Sequence, residues 1–253
     1  MSSKDTQLLV NRFVELSQRS YSRSRYEFSE FLSLADQNTL LSMKIDLFSS
    51  PYTLDGGFEG SERKIAAFGN EDICGYKIVP PICWISISPV LKKFADDLTH
   101  RDFLGSLMGL GIKREMLGDI LVQENSAYLV CLDTISRVII SDLKQVKRTT
   151  VKCDILDSMP DVINTLPDFS EVVVASTRLD AVVSAVYKVS RSESQEIIYA
   201  GRVFISGKLT ESTSAVLESG NTVSVRSMGR FIYEGISRET KKNKLRISVR
   251  IYK

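Results

Sequence analysis

The chain has 253 residues, 43% of them apolar and 25% charged, with a formal net charge of +2, the values of an ordinary soluble protein with room for two or three small cores. No apolar run approaches the length of a membrane span, and the start, MSSKDTQLLVNRF, lacks the charged-then-apolar layout of a secretory leader, so a cytoplasmic protein without a membrane span is expected. Cys74, Cys83, Cys131 and Cys153 form no C-x-x-C pair and His100 is the single histidine; that excludes a zinc site of the usual spacing and points to reduced, mostly buried thiols.

Residues 1–75 read as a mainly helical region. Leu9, Phe13 and Leu16 give residues 4–20 an amphipathic helix, with Asp5 or Thr6 as its cap. In RSYSRSRYEF, at its end and beyond, Arg19, Arg23 and Arg25 alternate with Tyr21 and Tyr26. Base stacking with phosphate contact would use such a pattern, but a solvated inter-helix loop with locally packed aromatics is simpler. A helix is expected over Asp36–Phe48, a loop at Pro51 and Gly56-Gly57, and one or two helical turns over Glu62–Phe68.

Residues 76–160 carry a pattern that assembles. Ile82–Ile87 is a β-rich run, Leu98–Leu110 has helical spacing, Gly118–Gln123 and Ser126–Leu132 are strands about a Glu124-Asn125 turn, Thr134–Val146 is helical, and Thr149–Ile155 alternates as a last strand. The order β-α-β-β-α-β is that of a ferredoxin-like, RRM-like domain, which supports RNA binding by analogy alone. A base-reading RRM sheet would carry two stacking aromatics; only Tyr128 is available, so sequence reading by this sheet is not expected. His100, Arg101, Lys113 and Arg114 flank a Gly-rich apolar helix and form a candidate second surface. His100-Arg101-Asp102 lacks the downstream Asn of a kinase loop, and Gly109-Leu110-Gly111 is too little for a nucleotide loop. The apolar Leu104–Gly111 run suits a protein partner or ordinary helix-sheet packing, of which packing is simpler.

Residues 161–177, with Pro167 and several acids, read as a linker in which Glu171–Ala175 has strand character. Residues 178–253 hold 14 Lys+Arg and 7 Asp+Glu, a net +7 against −5 for residues 1–177, and a basic module on an acidic body is the footprint of nucleic-acid binding. Leu179, Val182, Val183 and Val186 mark a first short helix capped by Ser176 or Thr177. A second opens at Ser190-Arg191-Ser192-Glu193, which has the form of a capping box, and Gly201 ends it. Val203–Ile205 is then a strand turned by Ser206-Gly207, and Thr222–Arg226, Arg230–Ile236 and Lys244–Tyr252 are further strands. With the apolar positions assigned to a core, Arg178, Lys188, Arg191, Gln195, Arg202 and Lys208 are left to one exposed, phosphate-suited side, with Ser190 and Ser192 fixing the helix end. Arg226 and Arg230 could extend it, while Arg178 and Asp180 could simply pair and cap their helix. In the loop 238–244, Lys241 and Lys242 suit phosphate contact or a lysine-blunted hairpin tip equally.

Arg-Leu-Asp, Ser-Arg-Ser, Ala-Gly-Arg-Val and Gly-Lys, in that order from Arg178, resemble the RNA-binding domain named after ribosomal small-subunit protein S-four. Ser206 departs from the Asn or Asp usual there. Gly56–Lys64, Leu98–Val122, Ser224–Phe231 and Thr240–Lys242 extend the likeness over essentially the whole chain, which resembles the YlmH family of bacterial proteins. That resemblance implies an RNA-binding protein encoded near cell-division genes, docking on structured ribosomal RNA or on tRNA held by the large subunit. A role in quality control or rescue of stalled ribosomes carrying peptidyl-tRNA is implied with it.

The expected protein is therefore α+β, with an N-terminal helical segment, a central ferredoxin-like domain and a C-terminal S-four-type αα-β domain. No catalytic group, cofactor or metal is expected. An RNA-modifying enzyme would need a second catalytic Arg-Leu-Asp, a nucleotide loop or paired ATP-binding motifs, none of which the sequence contains. A nuclease built on His100 and Asp102 and a protein-interaction platform in residues 1–160 anchored to RNA stay open.

Overall fold

Residues 3–158, 160, 167–239 and 244–252 are described by the structure, a computed structural model. The chain divides into two compact units, Met1–Thr165 and Leu166–Lys253, and each combines helices with antiparallel sheet, the α+β class.

In the first unit, α1 (Ser3–Arg23) buries Phe13 and Leu16 completely, each burial contributing about 1.5–3 kcal/mol. The helix begins before Asp5, which sits in its first turn instead of capping it, and continues through the expected loop to Arg23; Ser24 then turns left-handed at φ 47°. Arg19 and Arg25 converge on Glu27, a carboxylate only 7% exposed, and Tyr26 packs against Phe28 and Tyr76. The Arg/Tyr alternation is thus a helix end tied down by a buried acid. Next come β1 (Glu27–Phe28), α2 (Leu34–Ser42), β2 (Tyr52–Asp55), β3 (Ile65–Phe68) and α3 (Glu71–Cys74). Ser33 and Asp36 close a capping box on α2, so Asp36 lies inside the helix, which stops at Ser42, short of the expected Phe48.

The expected helical turns at Glu62–Phe68 are instead strand β3, the centre of a sheet ordered β1-β3-β2. All four of its residues are buried, so the alternation that marks a half-exposed strand is absent and local helix propensity misleads. Phe68 and Ala66 pack with Phe13, Leu16, Leu32 and Leu40.

The second sheet of this unit uses β4 (Ile82–Pro89), α4 (His100–Gly109), β5 (Leu117–Gln123), β6 (Ser126–Leu132), α5 (Asp133–Asp142), β7 (Gln145–Val146) and β8 (Thr149–Leu156), in strand order β5-β6-β4-β8-β7. Helix α5 ends earlier than expected because residues 145–150 turn back as a β7-β8 hairpin. Glu124 and Asn125 both adopt positive φ, 46° and 63°, as a two-residue type I′ turn requires. One face packs Ile85, Ile87, Leu117 and Leu129 against Phe103 and Leu107 of α4 and Ile139 of α5. On the other face Trp84 and Val130 are covered by Phe31, Ile65 and Phe58, so part of the surface that an RRM uses for bases is closed. Among the described residues no helix is long and apolar enough to cross a membrane.

The second unit contains β9 (Phe169–Val174), α6 (Leu179–Tyr187), α7 (Arg191–Tyr199), β10 (Val203–Ile205), β11 (Lys208–Leu209), β12 (Asn221–Val225), β13 (Gly229–Glu239) and β14 (Leu245–Tyr252). The sheet order is β11-β10-β12-β13-β14-β9, all pairs antiparallel. Strand β9 is thus a paired edge strand of this sheet within the stretch expected to be a linker. The helices place Leu179, Val182, Val183, Ile197 and Ile198 on Val223, Val225, Phe231 and Val249.

Candidate nucleic-acid interface

Helices α6 and α7 are joined through Lys188, which ends α6 in the left-handed conformation at φ 56°, and Ser190, whose Oγ accepts the Glu193 amide at 3.1 Å as the N-cap of α7. The expected Ser176/Thr177 cap is not used: Arg178 is the N-cap residue of α6 and gives it no side-chain bond. The amides of Leu179 and Asp180 donate instead to the carbonyls of Ala215 and Thr213, since residues 213–217 lie alongside and satisfy them.

Asp180, fully buried, organises this corner. Its carboxylate accepts from Arg191 Nε at 3.1 Å, Gln195 Nε2 at 3.0 Å, Arg178 Nε at 3.2 Å and the Ala181 amide at 2.9 Å. Burial acts to raise its pKa, but the bonds from Arg191, Gln195 and Arg178 prevail and hold it below the usual carboxylate value. Ser194, also fully buried, donates to the Asp180 carbonyl at 2.8 Å and fastens α7 to α6. The side chains of Arg178 and Arg191 remain 42% and 50% exposed. They are held at one end by the acid and open to solvent at the other, a geometry suited to bidentate contact with phosphate. The Arg178–Asp180 pair expected as a local contact is therefore part of a larger network. What sequence spacing did not disclose is that Arg191 and Gln195, 11 and 15 residues further on, share the same acid.

Lys188, Ser190, Ser192 and Lys208 are exposed. Ser206 and Gly207 turn β10 into β11 with φ 46° and 79°, a conformation that the Asn or Asp usual at the first position adopts more readily than Ser. Arg202 is only partly exposed; its Nη2 donates to the Arg226 carbonyl at 2.9 Å. Arg226 lies over the Phe204 ring at 5.0 Å and Arg230 over Tyr252 at 4.0 Å, so both stack on the sheet and do not join the Asp180 group. Lys241 and Lys242 lie outside the described residues.

In the first unit His100, Arg101 and Lys113 are exposed, but Arg114 departs from the expected second surface. It is partly buried and donates to the carbonyls of Leu117 and Gly118 at 2.8 and 3.1 Å. Arg63 Nε donates to the same Leu117 carbonyl at 2.9 Å. Desolvation and the neighbouring Arg63 lower the Arg114 pKa to about 10. Between them sits Asp119, which accepts the amides of Glu62 and Arg63 at 2.6 and 3.2 Å, and whose burial raises its pKa to about 6. His100 is pushed down by desolvation and by Arg114. Asp102 accepts from Thr99 N and Oγ at 2.8 and 2.6 Å and pairs with Lys147 at 2.9 Å, which keeps it ionised down to about 2. That is the behaviour of a helix cap, too weak a base for general base work. Among the described residues no group of His, Cys, Asp and Glu could hold a metal.

The central segment defines a class first: residues 85–159 match the family model described as "Putative RNA-binding domain in YlmH". Over 252 residues, 97% of this chain and 95% of the relative, the sequence is 27% identical to "Ribosome-associated protein quality control protein P2" of Bacillus subtilis. A solved chain, "Cell division protein ylmH from Streptococcus pneumoniae", aligns with 62% of this chain and 93% of its own, at a TM-score of 0.48 and 22% identity. The chain is thus similar to YlmH-type proteins, in its central segment by the family model and along nearly its whole length by the Bacillus subtilis relative.

Proposed function

We infer that this protein is a non-enzymatic RNA-binding factor that docks on structured ribosomal RNA through the α6–α7 corner. The observation that carries this is the buried Asp180 holding Arg178, Arg191 and Gln195 in one half-open group. A preorganised, cationic, helix-borne face binds by shape and charge, and its affinity falls steeply with salt. Lys188, Ser190, Ser192, Arg202 and Lys208 are its near neighbours in sequence, and Lys241 and Lys242 its proposed extensions, while Arg226 and Arg230, expected to extend it, lie on the sheet instead. The name of the Bacillus subtilis relative supports ribosome association and quality control. The RNA is then ribosomal RNA of the large subunit, with tRNA held there as a further contact in rescue of stalled particles. In this proposal residues 178–253 form the S-four-type domain. Residues 82–156, with their split β-α-β strand order, form the ferredoxin-like domain, where His100, Arg101 and Lys113 face RNA.

Sedimentation of cell extract through sucrose at low and moderate salt tests it. The intact protein should travel with large subunits or ribosomes, and Arg191→Ala/Arg202→Ala should stay at the top. Both forms remaining at the top at low salt would overturn the proposal.

A second reading, a protein partner for residues 1–160, is favoured by a groove of about 640 Å³ with Leu8, Phe28 and Leu132 in its lining and Glu30, Glu115 and Asp133 among its acids. Its charge suits a basic amphipathic peptide and opposes RNA. Glu30→Lys/Asp133→Lys should lose a site-specific crosslink to a protein while keeping ribosome sedimentation; a crosslink to RNA there would sink this second reading.

A further inference from the structure

The second unit has another face that the α6–α7 corner does not use. Strand alternation sends Val203, Val223, Val225, Phe231, Ile247 and Val249 into the core under the helices, so their neighbours point to the opposite side of the sheet. Register aligns those neighbours in two adjacent rows. Phe204, Ser224, Arg230 and Tyr252 are successive partners across β10, β12, β13 and β14. Thr222, Ile232, Arg250 and Phe169 are successive partners across β12, β13, β14 and β9.

Each aromatic of these rows carries a guanidinium. Arg226 lies 5.0 Å from the Phe204 ring centre, Arg230 4.0 Å from Tyr252, and Arg250 3.6 Å from Phe169. Arg250 is further fixed by Glu234 at 2.6 Å and the Pro167 carbonyl at 2.9 Å. Phe169 is 61% exposed. Nucleobases stack on aromatic rings and on guanidinium planes alike, and the exposed Arg226 and half-buried Arg230 supply charge for the intervening phosphates, while Arg250, 18% exposed and paired with Glu234, holds its place beside Phe169. With strands about 4.8 Å apart, Phe204 and Tyr252 stand roughly 14 Å from one another across three strand spacings. That leaves room for successive unpaired bases and is too flat and aromatic for the groove of a duplex.

We propose that this outer sheet face is a stacking platform for single-stranded RNA, separate from the helix corner that grips structured RNA. It deepens the RNA-binding function proposed above and rests on it. The ligand is unpaired RNA of any sequence, because every base offers a π face.

The test is fluorescence anisotropy of the full chain with a labelled unstructured oligoadenylate at low salt, beside ribosome sedimentation. Phe204→Ala/Tyr252→Ala should weaken oligoadenylate binding by about tenfold or more and leave sedimentation with ribosomes in place. Tyr252→Phe, which keeps the ring, should bind like the intact protein, and the exposed Arg226→Glu, which cannot unfold a core, should bind about tenfold more weakly. Arg191→Ala should leave oligoadenylate binding within about twofold. Failure of the intact protein to bind oligoadenylate, or binding by the double variant and by Arg226→Glu as tight as that of the intact protein, would overturn the platform. Loss of ribosome docking as the basis of function would show separately, in the sedimentation arm.

Discussion

Replacing Asp180 by Asn changes one atom of a fully buried side chain and separates two opposite expectations. If the acid were merely a negative charge beside a phosphate-binding face, removing it would raise RNA affinity. In the structure it positions the arginines, so removal should lower affinity. The asparagine oxygen can keep about two of the four donors, but its NH2 group then faces Arg or Gln donors. Exchanging charge-assisted bonds for neutral ones costs about 1 kcal/mol each. The released guanidiniums are half exposed and rehydrate, so the loss stays below the ~3–5 kcal/mol of a fully buried broken pair. About 2 kcal/mol is expected, a fall of roughly 10 °C in the midpoint of a unit of this size. Freeing three side chains at about 0.5–1.5 kcal/mol apiece weakens RNA binding by about 2 kcal/mol, or roughly 30-fold. Thermal unfolding followed by circular dichroism, and binding to ribosomal RNA measured well below the midpoint, supply the two numbers. Unchanged stability together with tighter binding would refute the positioning role.

The Asp180 contribution also has a pH sign. Its folded pKa lies below the ordinary 3.8, so the stabilisation is complete above that value and is lost as pH falls through the folded pKa; acid unfolding of Asp180→Asn should be correspondingly shallower. Asp119 has the opposite sign, with a folded pKa raised from 3.8 to about 6. Stability of the first unit should fall, by at most about 3 kcal/mol, as pH rises across that interval and then level off; urea midpoints that rise steadily from pH 4 to 7 would contradict this. Ser194→Ala removes the buried bond to the Asp180 carbonyl and should cost about 1–2 kcal/mol with the arginines still paired, so RNA affinity should change much less than stability. Gly118→Ala would put a Cβ 2.8 Å from Phe31 Cε1 and 3.1 Å from Val130 Cβ. That overpacking should destabilise the first unit by about 1–3 kcal/mol, measurable by Trp84 fluorescence.

Legibility followed the kind of interaction. The elements of residues 82–156 and the α6–α7 pair could be read because each shows one apolar face at a fixed period. Strand β3 could not, since Ile65–Phe68 is buried on both faces and leaves no period to find. The length of α1 was missed because its last turn is polar and is held by Glu27, a residue beyond the helix. The basic residues of the C-terminal site stood out by composition, but composition treats them as equivalent. Arg114 and Arg191 look alike in sequence, yet one is spent on the carbonyls of Leu117 and Gly118 and the other faces solvent. Only the placement of Asp180 and Asp119 separates such pairs, and both acids act on residues distant along the chain.

Arg63, just ahead of β3, ties the first sheet to the second: it donates to the carbonyl of Phe31, in the segment between β1 and α2, at 2.8 Å and to that of Leu117 in β5 at 2.9 Å, while Asp119 takes its amide. Opening either sheet alone would strand a partly desolvated guanidinium and a half-buried carboxylate at once. The two sheets should consequently open as one cooperative block, with the amides of Glu62 and Arg63 exchanging hydrogen as slowly as those of β6, although they lie in a loop.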